Sequence, residues 1–190
     1  MSATEPIDFA NINCVFLDRD GVLNQKPPEG TYVTRVEGFV VLPQVEEAVA
    51  ALNRSGRKVI VVTNQRGIAL GLYTRQDLDR MHTLLQKRLG DRGAHLDAIY
   101  VCPHDEGQCD CRKPLTGLFE QAFRDFPELT AGHSLMVGDS LRDIEAGRAA
   151  GMATVLTTGS STARDQFASR LSDMTVQTLP ELVFLHLCPR

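Results

Sequence analysis

Five short apolar runs recur along the chain, and each has the length of a buried strand. These runs are 14–17, 59–62, 98–101, 135–137 and 153–156. Between them, apolar residues recur at the i, i+3, i+4 and i+7 spacing of an amphipathic helix. The helical segments are 44–55, 74–89, 116–126 and 140–150. Strand and helix therefore alternate, which predicts an α/β fold with a mainly parallel, Rossmann-like sheet and helices on both faces.

The remaining segments predict little further structure. Residues 19–43, rich in proline and glycine, resemble a loop or flap, and 159–178 is too weakly patterned to predict an element. The apolar run at 179–187 predicts a closing helix. The chain has 190 residues, so we expect one domain over 1–190.

Polar residues that are unusual in a core follow four of the predicted strands, at the point where each strand ends. The sequence DRDG follows the first strand and TNQRG the second. A Cys/His cluster and then RKP follow the third strand, and GDSLRD follows the fourth. Parallel sheets bind ligands at the carboxyl ends of their strands. We therefore expect these residues to meet in one site.

Asp18 and Asp20 are separated by one residue at the end of the first strand. In an extended chain residues i and i+2 point to the same side, so both carboxylates can face one site while Arg19 points away. Such a pair suits Mg²⁺, a hard cation that takes a few carboxylates and keeps several waters. Asp139 and Asp143 could complete the site, although Asp143 also fits the N3 position of a helix capping box.

The same side chains suit phosphoryl transfer. One carboxylate can attack phosphorus and form an aspartyl-phosphate, while a second acid protonates the leaving oxygen and later deprotonates water. The transferred group also needs donors and positive charge, which Thr63 and Lys113 can supply. Each residue alone has an ordinary turn or surface role as its alternative explanation. Four suitable groups after four consecutive strands favour a shared active site.

Four motifs resemble the signature motifs of the haloacid-dehalogenase (HAD) superfamily of phosphatases. They are FLDRDGVLN, VTNQ, CRKP and VGDSLRD, and their order and spacing fit over roughly residues 12–160. The resemblance is specific because both the order and the spacing of the motifs agree. It implies a HAD-type α/β fold and hydrolysis of a phosphate monoester.

The resemblance also implies a role for each matched residue. Asp18 would be the nucleophile and a Mg²⁺ ligand. Asp20 would be the general acid/base and would bind Mg²⁺ through its backbone carbonyl. Thr63 and Lys113 would hold the phosphoryl group, and Asp139 would complete the metal site.

Three of the five cysteines and one histidine lie within ten residues. Cys102, His104, Cys109 and Cys111 follow the pattern C-x-H-x₄-C-x-C, and this ligand set suits tetrahedral Zn²⁺. The set leaves no position for water, so we interpret it as a structural zinc site that stabilises a loop. A disulfide and a thiol redox pair are the alternatives. The acidic flanking residues give little reason for a lowered thiol pKa.

The zinc loop narrows the resemblance to the branch that contains the heptose-bisphosphate and histidinol-phosphate phosphatases, whose members have little or no separate cap domain. This resemblance implies a Mg²⁺-dependent phosphatase that removes the 7-phosphate of D-glycero-D-manno-heptose 1,7-bisphosphate in the synthesis of nucleotide-activated heptose for surface glycans such as lipopolysaccharide. Histidinol phosphate or another small phosphate ester is the alternative substrate. A non-catalytic protein that binds a phosphorylated ligand is a third hypothesis.

A sugar bisphosphate requires a second cationic site for its remote phosphate. Arg112 matches a substrate-recognition arginine of this branch, and Arg66 and Lys26 are further candidates, each with ordinary solvated charge as its alternative. The predicted substrate-binding residues are Asn24, Asn64, Gln65, Arg66 and Arg112.

Charge and composition exclude other classes of partner. The formal net charge is −4, and aromatic residues are not interleaved with basic ones, so we expect no nucleic-acid partner. No apolar run has the length of a membrane span, and residues 1–13 lack a basic segment followed by an apolar one. We therefore expect a cytoplasmic monomer whose partner is a small phosphorylated metabolite.

Overall fold

The structure, a computed structural model, describes residues 6–159 and 166–189. Six parallel strands form one sheet in the order β3-β2-β1-β4-β5-β6. The strands are β1 (Cys14–Leu17), β2 (Lys58–Asn64), β3 (Ala98–Cys102), β4 (Ser134–Gly138), β5 (Ala153–Thr157) and β6 (Met174–Val176). The five predicted strands and the parallel sheet are thus confirmed. The sixth strand, β6, comes from the weakly patterned segment in which no element was predicted.

Six α-helices accompany the sheet in the described ranges. They are α1 (Val45–Arg54), α2 (Arg75–Gly90), α3 (Gly117–Asp125), α4 (Leu141–Ala149), α5 (Gln166–Leu171) and α6 (Leu179–Leu182). The four predicted amphipathic helices are confirmed to within one residue at each end. The closing segment differs in detail, because α6 continues as a π-helical turn at Val183–Leu187. No helix in the described part of the chain has both the length and the apolar character needed to cross a membrane.

Helices cover both faces of the sheet, as the apolar runs predict. Alternate side chains of β1 enter opposite cores, with Val15 and Leu17 packed in the core that includes α1, α2 and α6. Cys14 and Phe16 enter the core on the side of α3. There the ring of Phe119 meets Phe16 edge to face, with ring centroids 5.3 Å apart. Both faces of β1 are therefore buried, which explains why its sequence is continuously apolar.

The order of the strands decides where the site forms. β1 pairs with β2 on one side and with β4 on the other, so the chain changes direction across the sheet at β1. Ligands bind in doubly wound sheets at such a switch point, beyond the carboxyl ends of the strands. The polar segments that follow β1, β2 and β4 therefore lie next to one another.

The segment 19–43 forms an arch that stands over this edge. Its two limbs pair through a hydrogen bond from Gln25 N to Val40 O and another from Leu42 N to Leu23 O. One short 3₁₀ turn, Val36–Gly38, lies within it. The prediction that this segment is a loop is therefore confirmed. The arch brings Lys26 over the strand ends.

Replacing either of two helical glycines by alanine should change stability in opposite directions. An added Cβ at Gly147 in α4 would lie 2.7 Å from Met136 Cβ and 2.8 Å from Thr154 Cγ2, whereas Gly90 at the end of α2 has open space. Alanine in a helix is better than glycine by about 1 kcal/mol, but overpacking costs about 1–3 kcal/mol. We expect Gly147→Ala to lower the midpoint of urea unfolding and Gly90→Ala to leave it unchanged or raise it. Equal midpoints for the two variants would contradict the packing of α4 on the sheet.

Candidate active site

Lys113 lies at the centre of the site, between two aspartates. Its Nζ is 2.7 Å from Asp18 Oδ1 and 2.6 Å from Asp143 Oδ1, and it donates to Val62 O at 2.7 Å. The side chain of Lys113 is 2% exposed, so burial lowers its pKa, but the two carboxylates more than offset this and raise the pKa above its ordinary value. The ammonium is therefore held charged at the end of β1, where a phosphoryl group would meet Asp18.

Asp143 has the helix-capping role that its sequence position allowed, and it also pairs with Lys113. The backbone N and the Oγ of Ser140 donate to Asp143 Oδ2, at 3.1 and 2.6 Å, which completes a capping box at the start of α4. The other oxygen, Oδ1, accepts the ion pair with Lys113. The cap therefore orients the carboxylate that holds the lysine.

Three carboxylates converge beside Lys113. Ligand oxygens of Asp18, Asp139 and Asp143 lie within 4.8 Å of one another. The pKa of Asp18 is raised to about 7, chiefly by burial and also by the carboxylates of Asp143 and Asp139, against the lowering effect of Lys113. Burial and Asp143 likewise raise the pKa of Asp139 to about 6. Such a surplus of buried negative charge fits a hard divalent cation such as Mg²⁺.

Gly21 permits the close approach that this cluster requires. Its φ is +89°, and a Cβ added there would lie 2.1 Å from Asp139 Oδ2. Only glycine therefore lets the turn after β1 pass beside the carboxylate that follows β4. Lys26, from the arch, forms an ion pair with the same Asp139 oxygen at 2.7 Å.

Asp20 is oriented by neighbours that the sequence did not indicate. Arg19 does not point away, since its Nη2 lies 2.9 Å from both oxygens of Asp20. Asn24 Nδ2 donates to Oδ1 at 2.8 Å, and Gln65 Nε2 donates to Oδ2 at 3.0 Å. Burial raises the pKa of Asp20, but Arg19 and the two amide donors outweigh it and hold that pKa below its ordinary value. The prediction that Arg19 points away from Asp20 is wrong, because the chain turns directly after Asp18 and does not continue as an extended strand.

The end of β2 supplies the remaining polar groups. Thr63 is buried, and its Oγ1 accepts a hydrogen bond from Gln65 Nε2 at 2.8 Å. Asn64 donates from Nδ2 to Lys113 O at 3.0 Å and accepts from Lys113 N at 3.1 Å. Asn64 therefore fixes the backbone that carries the central lysine.

A pocket of about 540 Å³ opens over these strand ends. Its lining residues are Asp18, Asp20, Lys26, Glu29, Asn64, Arg112, Lys113, Asp139, Ser140, Leu141, Arg142 and Asp143. Three predicted substrate residues lie elsewhere, since Asn24 and Gln65 are buried against Asp20 and Arg66 pairs with Asp105 at 2.5 Å. Their roles in binding substrate stay predictions.

Sequence reasoning missed two charged side chains of the lining, Glu29 and Arg142. Arg142 lies in the first turn of α4, which begins directly after the fourth strand, so its position relative to that strand was a usable signal. Its guanidinium also pairs with Glu106 of the cysteine loop at 2.7 Å. No comparable signal existed for Glu29, because it depends on the path of the arch.

The four predicted zinc ligands meet at the end of β3. The Sγ atoms of Cys102 and Cys111 lie 3.5 and 3.3 Å from Cys109 Sγ, and 3.7 and 3.4 Å from His104 Nδ1. A disulfide requires about 2.05 Å between sulfurs, whereas tetrahedral zinc thiolates at about 2.3 Å from the metal lie about 3.8 Å apart. The spacing therefore fits a tetrahedral metal and excludes a bonded pair in this arrangement.

One thiol in the cluster is more acidic than its flanking residues suggested. Burial raises the pKa of Cys109, but hydrogen bonds with Cys111 and Cys102 outweigh it and lower that pKa to about 7. A thiolate is the form that binds a metal. Cys111 directly precedes Arg112 and Lys113, so this cluster anchors the segment that carries both cations into the pocket.

Comparison with known proteins relates most of the chain to one group of enzymes. Residues 110–182 match the family model described as HAD-hydrolase-like. The chain is 37% identical to D-glycero-beta-D-manno-heptose-1,7-bisphosphate 7-phosphatase of Haemophilus ducreyi, over 89% of this chain and 95% of the relative. It is 41% identical to D-glycero-alpha-D-manno-heptose-1,7-bisphosphate 7-phosphatase of Mycobacterium bovis, over 70% of each chain.

Solved structures give the same result. The D,D-heptose 1,7-bisphosphate phosphatase from B. bronchiseptica, complexed with magnesium and phosphate, is 30% identical and superposes with a TM-score of 0.80 over 90% of this chain and 96% of that one. The corresponding phosphatase from Burkholderia thailandensis is 29% identical, with a TM-score of 0.67 over 93% and 99% of the two chains. The magnesium in the B. bronchiseptica structure supports magnesium as the cation of the carboxylate cluster.

We expect the loop that carries the cysteine cluster to depend on bound zinc for its stability. Cys109→Ser removes one thiolate ligand, so we expect purified protein to lose zinc, as measured by elemental analysis, and to unfold at a lower temperature. Cys188→Ser is the matched control, because Cys188 lies near the end of the chain outside the cluster. Full zinc content in Cys109→Ser would contradict this ligand set.

Proposed function

Since the chain belongs to the heptose-1,7-bisphosphate 7-phosphatase family of HAD-like hydrolases, we propose that it removes the 7-phosphate of D-glycero-D-manno-heptose 1,7-bisphosphate. The observation that carries the proposal is the contact of Asp18 with the buried ammonium of Lys113, inside a cluster of carboxylates. The arrangement offers a nucleophile, a fixed positive charge and a cation site in one pocket. The cytoplasmic location of the protein, its monomeric state and the absence of a nucleic-acid partner stay predictions from the sequence.

In the first step an oxygen of Asp18 forms a bond to phosphorus, and the bond from phosphorus to the sugar oxygen breaks. The leaving oxygen takes a proton from the carboxyl of Asp20, which lines the same pocket. The product of this step is an aspartyl-phosphate on Asp18. Lys113 stays beside the transferred group and offsets its negative charge.

In the second step water attacks the same phosphorus and the bond to Asp18 breaks. Asp20 accepts the proton of that water, so both residues return to their starting state and inorganic phosphate leaves. The hydrogen bonds that keep Asp20 ionised in the free protein suit this base role. The negative charge of a bound substrate raises the pKa of Asp20, so Asp20 takes up from solvent the proton that it gives to the leaving oxygen in the first step. It releases a proton again when phosphate leaves.

Asp18 and Asp139 would hold Mg²⁺, with the Asp20 carbonyl as a further ligand expected from the family resemblance. When bound, the cation supplies Lewis-acid stabilisation of the phosphoryl oxygens and neutralises the carboxylates. Asp143 is less available as a ligand, because both of its oxygens already have partners. We also propose that zinc in the cysteine cluster has only a structural role.

Arg112 is the best-supported partner for the second phosphate of the substrate. It lines the pocket and is 8% exposed, and its buried Nη1 has no hydrogen-bond partner among the described residues. Lys26 and Arg142 line the same pocket with more exposed side chains, each already paired with an acid. A guanidinium with an unused donor suits a phosphate oxygen.

The first test is phosphate release across a panel of esters with magnesium. The panel contains both anomers of heptose 1,7-bisphosphate, fructose 1,6-bisphosphate, histidinol phosphate and p-nitrophenyl phosphate. We expect a preference for one heptose anomer. Asp18→Asn, which keeps the shape but loses the nucleophile, should lower turnover by at least about 10³-fold. A preference for histidinol phosphate would reassign the substrate, and no turnover of any ester would favour a binding protein.

A second test separates Arg112 from the catalytic groups. With Arg112→Met we expect kcat/KM for the heptose bisphosphate to fall by about 10- to 100-fold, the value of a hydrogen bond to a charged group. Turnover of p-nitrophenyl phosphate, which has no second phosphate, should change little. Arg75→Met is the matched control, because Arg75 lies on α2 outside the pocket lining, where it pairs with Asp79. Equal losses on both esters would contradict the assignment.

A further inference from the structure

Four side chains behind the pocket floor hold Asp20 in one orientation. We call Arg19, Asn24, Gln65 and Tyr73 the Asp20 clamp. The single Nη2 of Arg19 contacts both carboxylate oxygens, which fixes the direction of the group but leaves its plane free to twist. Asn24 on Oδ1 and Gln65 on Oδ2 then fix the plane. All four clamp side chains are at most 5% exposed, so solvent does not compete for these bonds.

Gln65 connects Asp20 with the predicted phosphoryl-binding hydroxyl. Its Nε2 lies 3.0 Å from Asp20 Oδ2 and 2.8 Å from Thr63 Oγ1, so the two amide hydrogens serve two different groups. Because the Thr63 oxygen accepts from Gln65, its own proton stays available for another acceptor. One amide therefore contacts both Asp20 and Thr63.

Tyr73 decides which end of the Gln65 amide faces the site. Its hydroxyl donates to Gln65 Oε1 at 2.5 Å, which turns the amide nitrogen towards Asp20. The reverse orientation would place the amide oxygen against the Asp20 carboxylate, where two acceptors repel. The turn from Gly67 to Tyr73 is built for this contact, because a Cβ on Gly67 would lie 2.2 Å from the Tyr73 ring.

We propose that Gln65 and Tyr73 are positioning residues that aim the Asp20 carboxyl at the leaving oxygen. The inference deepens the proposed phosphatase function and rests on it. It also gives Gln65 a role different from the predicted contact with substrate, since its amide is buried and fully used inside the protein.

A misplaced Asp20 affects two kinds of phosphate ester differently, which a loss of stability alone does not do. A sugar alcohol is a poor leaving group and needs a proton from Asp20 as the bond to phosphorus breaks. The p-nitrophenolate ion leaves without that proton. kcat/KM covers only the steps up to formation of the aspartyl-phosphate, so a misaimed acid should lower it for the alkyl ester and spare the aryl ester.

The experiment compares kcat/KM for heptose 1,7-bisphosphate and for p-nitrophenyl phosphate in Gln65→Met and Tyr73→Phe. Gln65→Met keeps the side-chain length and removes both donors. Tyr73→Phe removes one oxygen only and serves if the first variant does not fold. Tyr100→Phe is the matched control, because Tyr100 is also a buried tyrosine that donates one hydrogen bond, to Asp125 at 2.8 Å away from the site.

For Gln65→Met we expect the alkyl ester to lose about 10²-fold, the lower end of general-acid contributions, while the aryl ester changes by less than about 5-fold. Tyr73→Phe should show a smaller loss with the same selectivity, and Tyr100→Phe none. Equal losses on both esters, no loss on either, or the same selectivity in Tyr100→Phe would overturn the inference. Failure of the native protein to hydrolyse any ester would instead overturn the proposed function.

Discussion

The buried ion cluster around Lys113 is the interaction on which the site depends. An ammonium and three carboxylates lie together at the sheet edge, and the lysine side chain is 2% exposed. Removing such charges from water is costly unless each one is paired and hydrogen-bonded. Lys113 meets that condition through Asp18 after β1, Asp143 in α4 and the carbonyl of Val62 in β2. The lysine therefore ties together β1, β2 and the start of α4.

Even with Lys113, the cluster has more negative than positive charge, because one ammonium faces three carboxylates. Lys26 partly offsets the surplus through its ion pair with Asp139, but it reaches over from the exposed arch. Asp20, two residues from Asp18, is neutralised separately by Arg19 from behind the floor. The two neighbouring acids of the first motif are thus held by different cations. This separation lets Asp18 face a metal and a phosphoryl group while Asp20 stays in a fixed hydrogen-bonded position.

The sequence predicted the parts of the molecule that depend on local pattern. The strands, the four long helices and the capping box of Ser140 with Asp143 follow from periodicity and cap chemistry within short windows. The convergence of Asp18, Lys113 and Asp139 follows from a topological rule about strand ends. These expectations needed no knowledge of how one side chain packs on another.

The details that sequence reasoning missed depend on contacts between distant residues. Arg19 was expected to point away, but the turn after β1 bends the chain and lets its guanidinium return to Asp20. Gln65 was predicted to bind substrate because it follows a strand end, and that position gave no sign of its hydrogen bond with Tyr73, eight residues further on. β6 was missed because its three residues, Met174–Val176, are too few to show a period.

The loop after β3 has to hold two cations in fixed positions, and the cysteine cluster lies directly before them. Asp18 and Asp139 follow strands directly, whereas Arg112 and Lys113 lie ten or more residues beyond the end of β3, in a segment without regular secondary structure. A buried lysine held by two carboxylates tolerates little displacement, because an unpaired charge would remain in the floor of the pocket. The proposed zinc, held by four ligands that end at Cys111 next to Arg112, would fix that segment where a helix or strand would otherwise be needed. The loop can then place both cations in the pocket with the accuracy of the sheet itself.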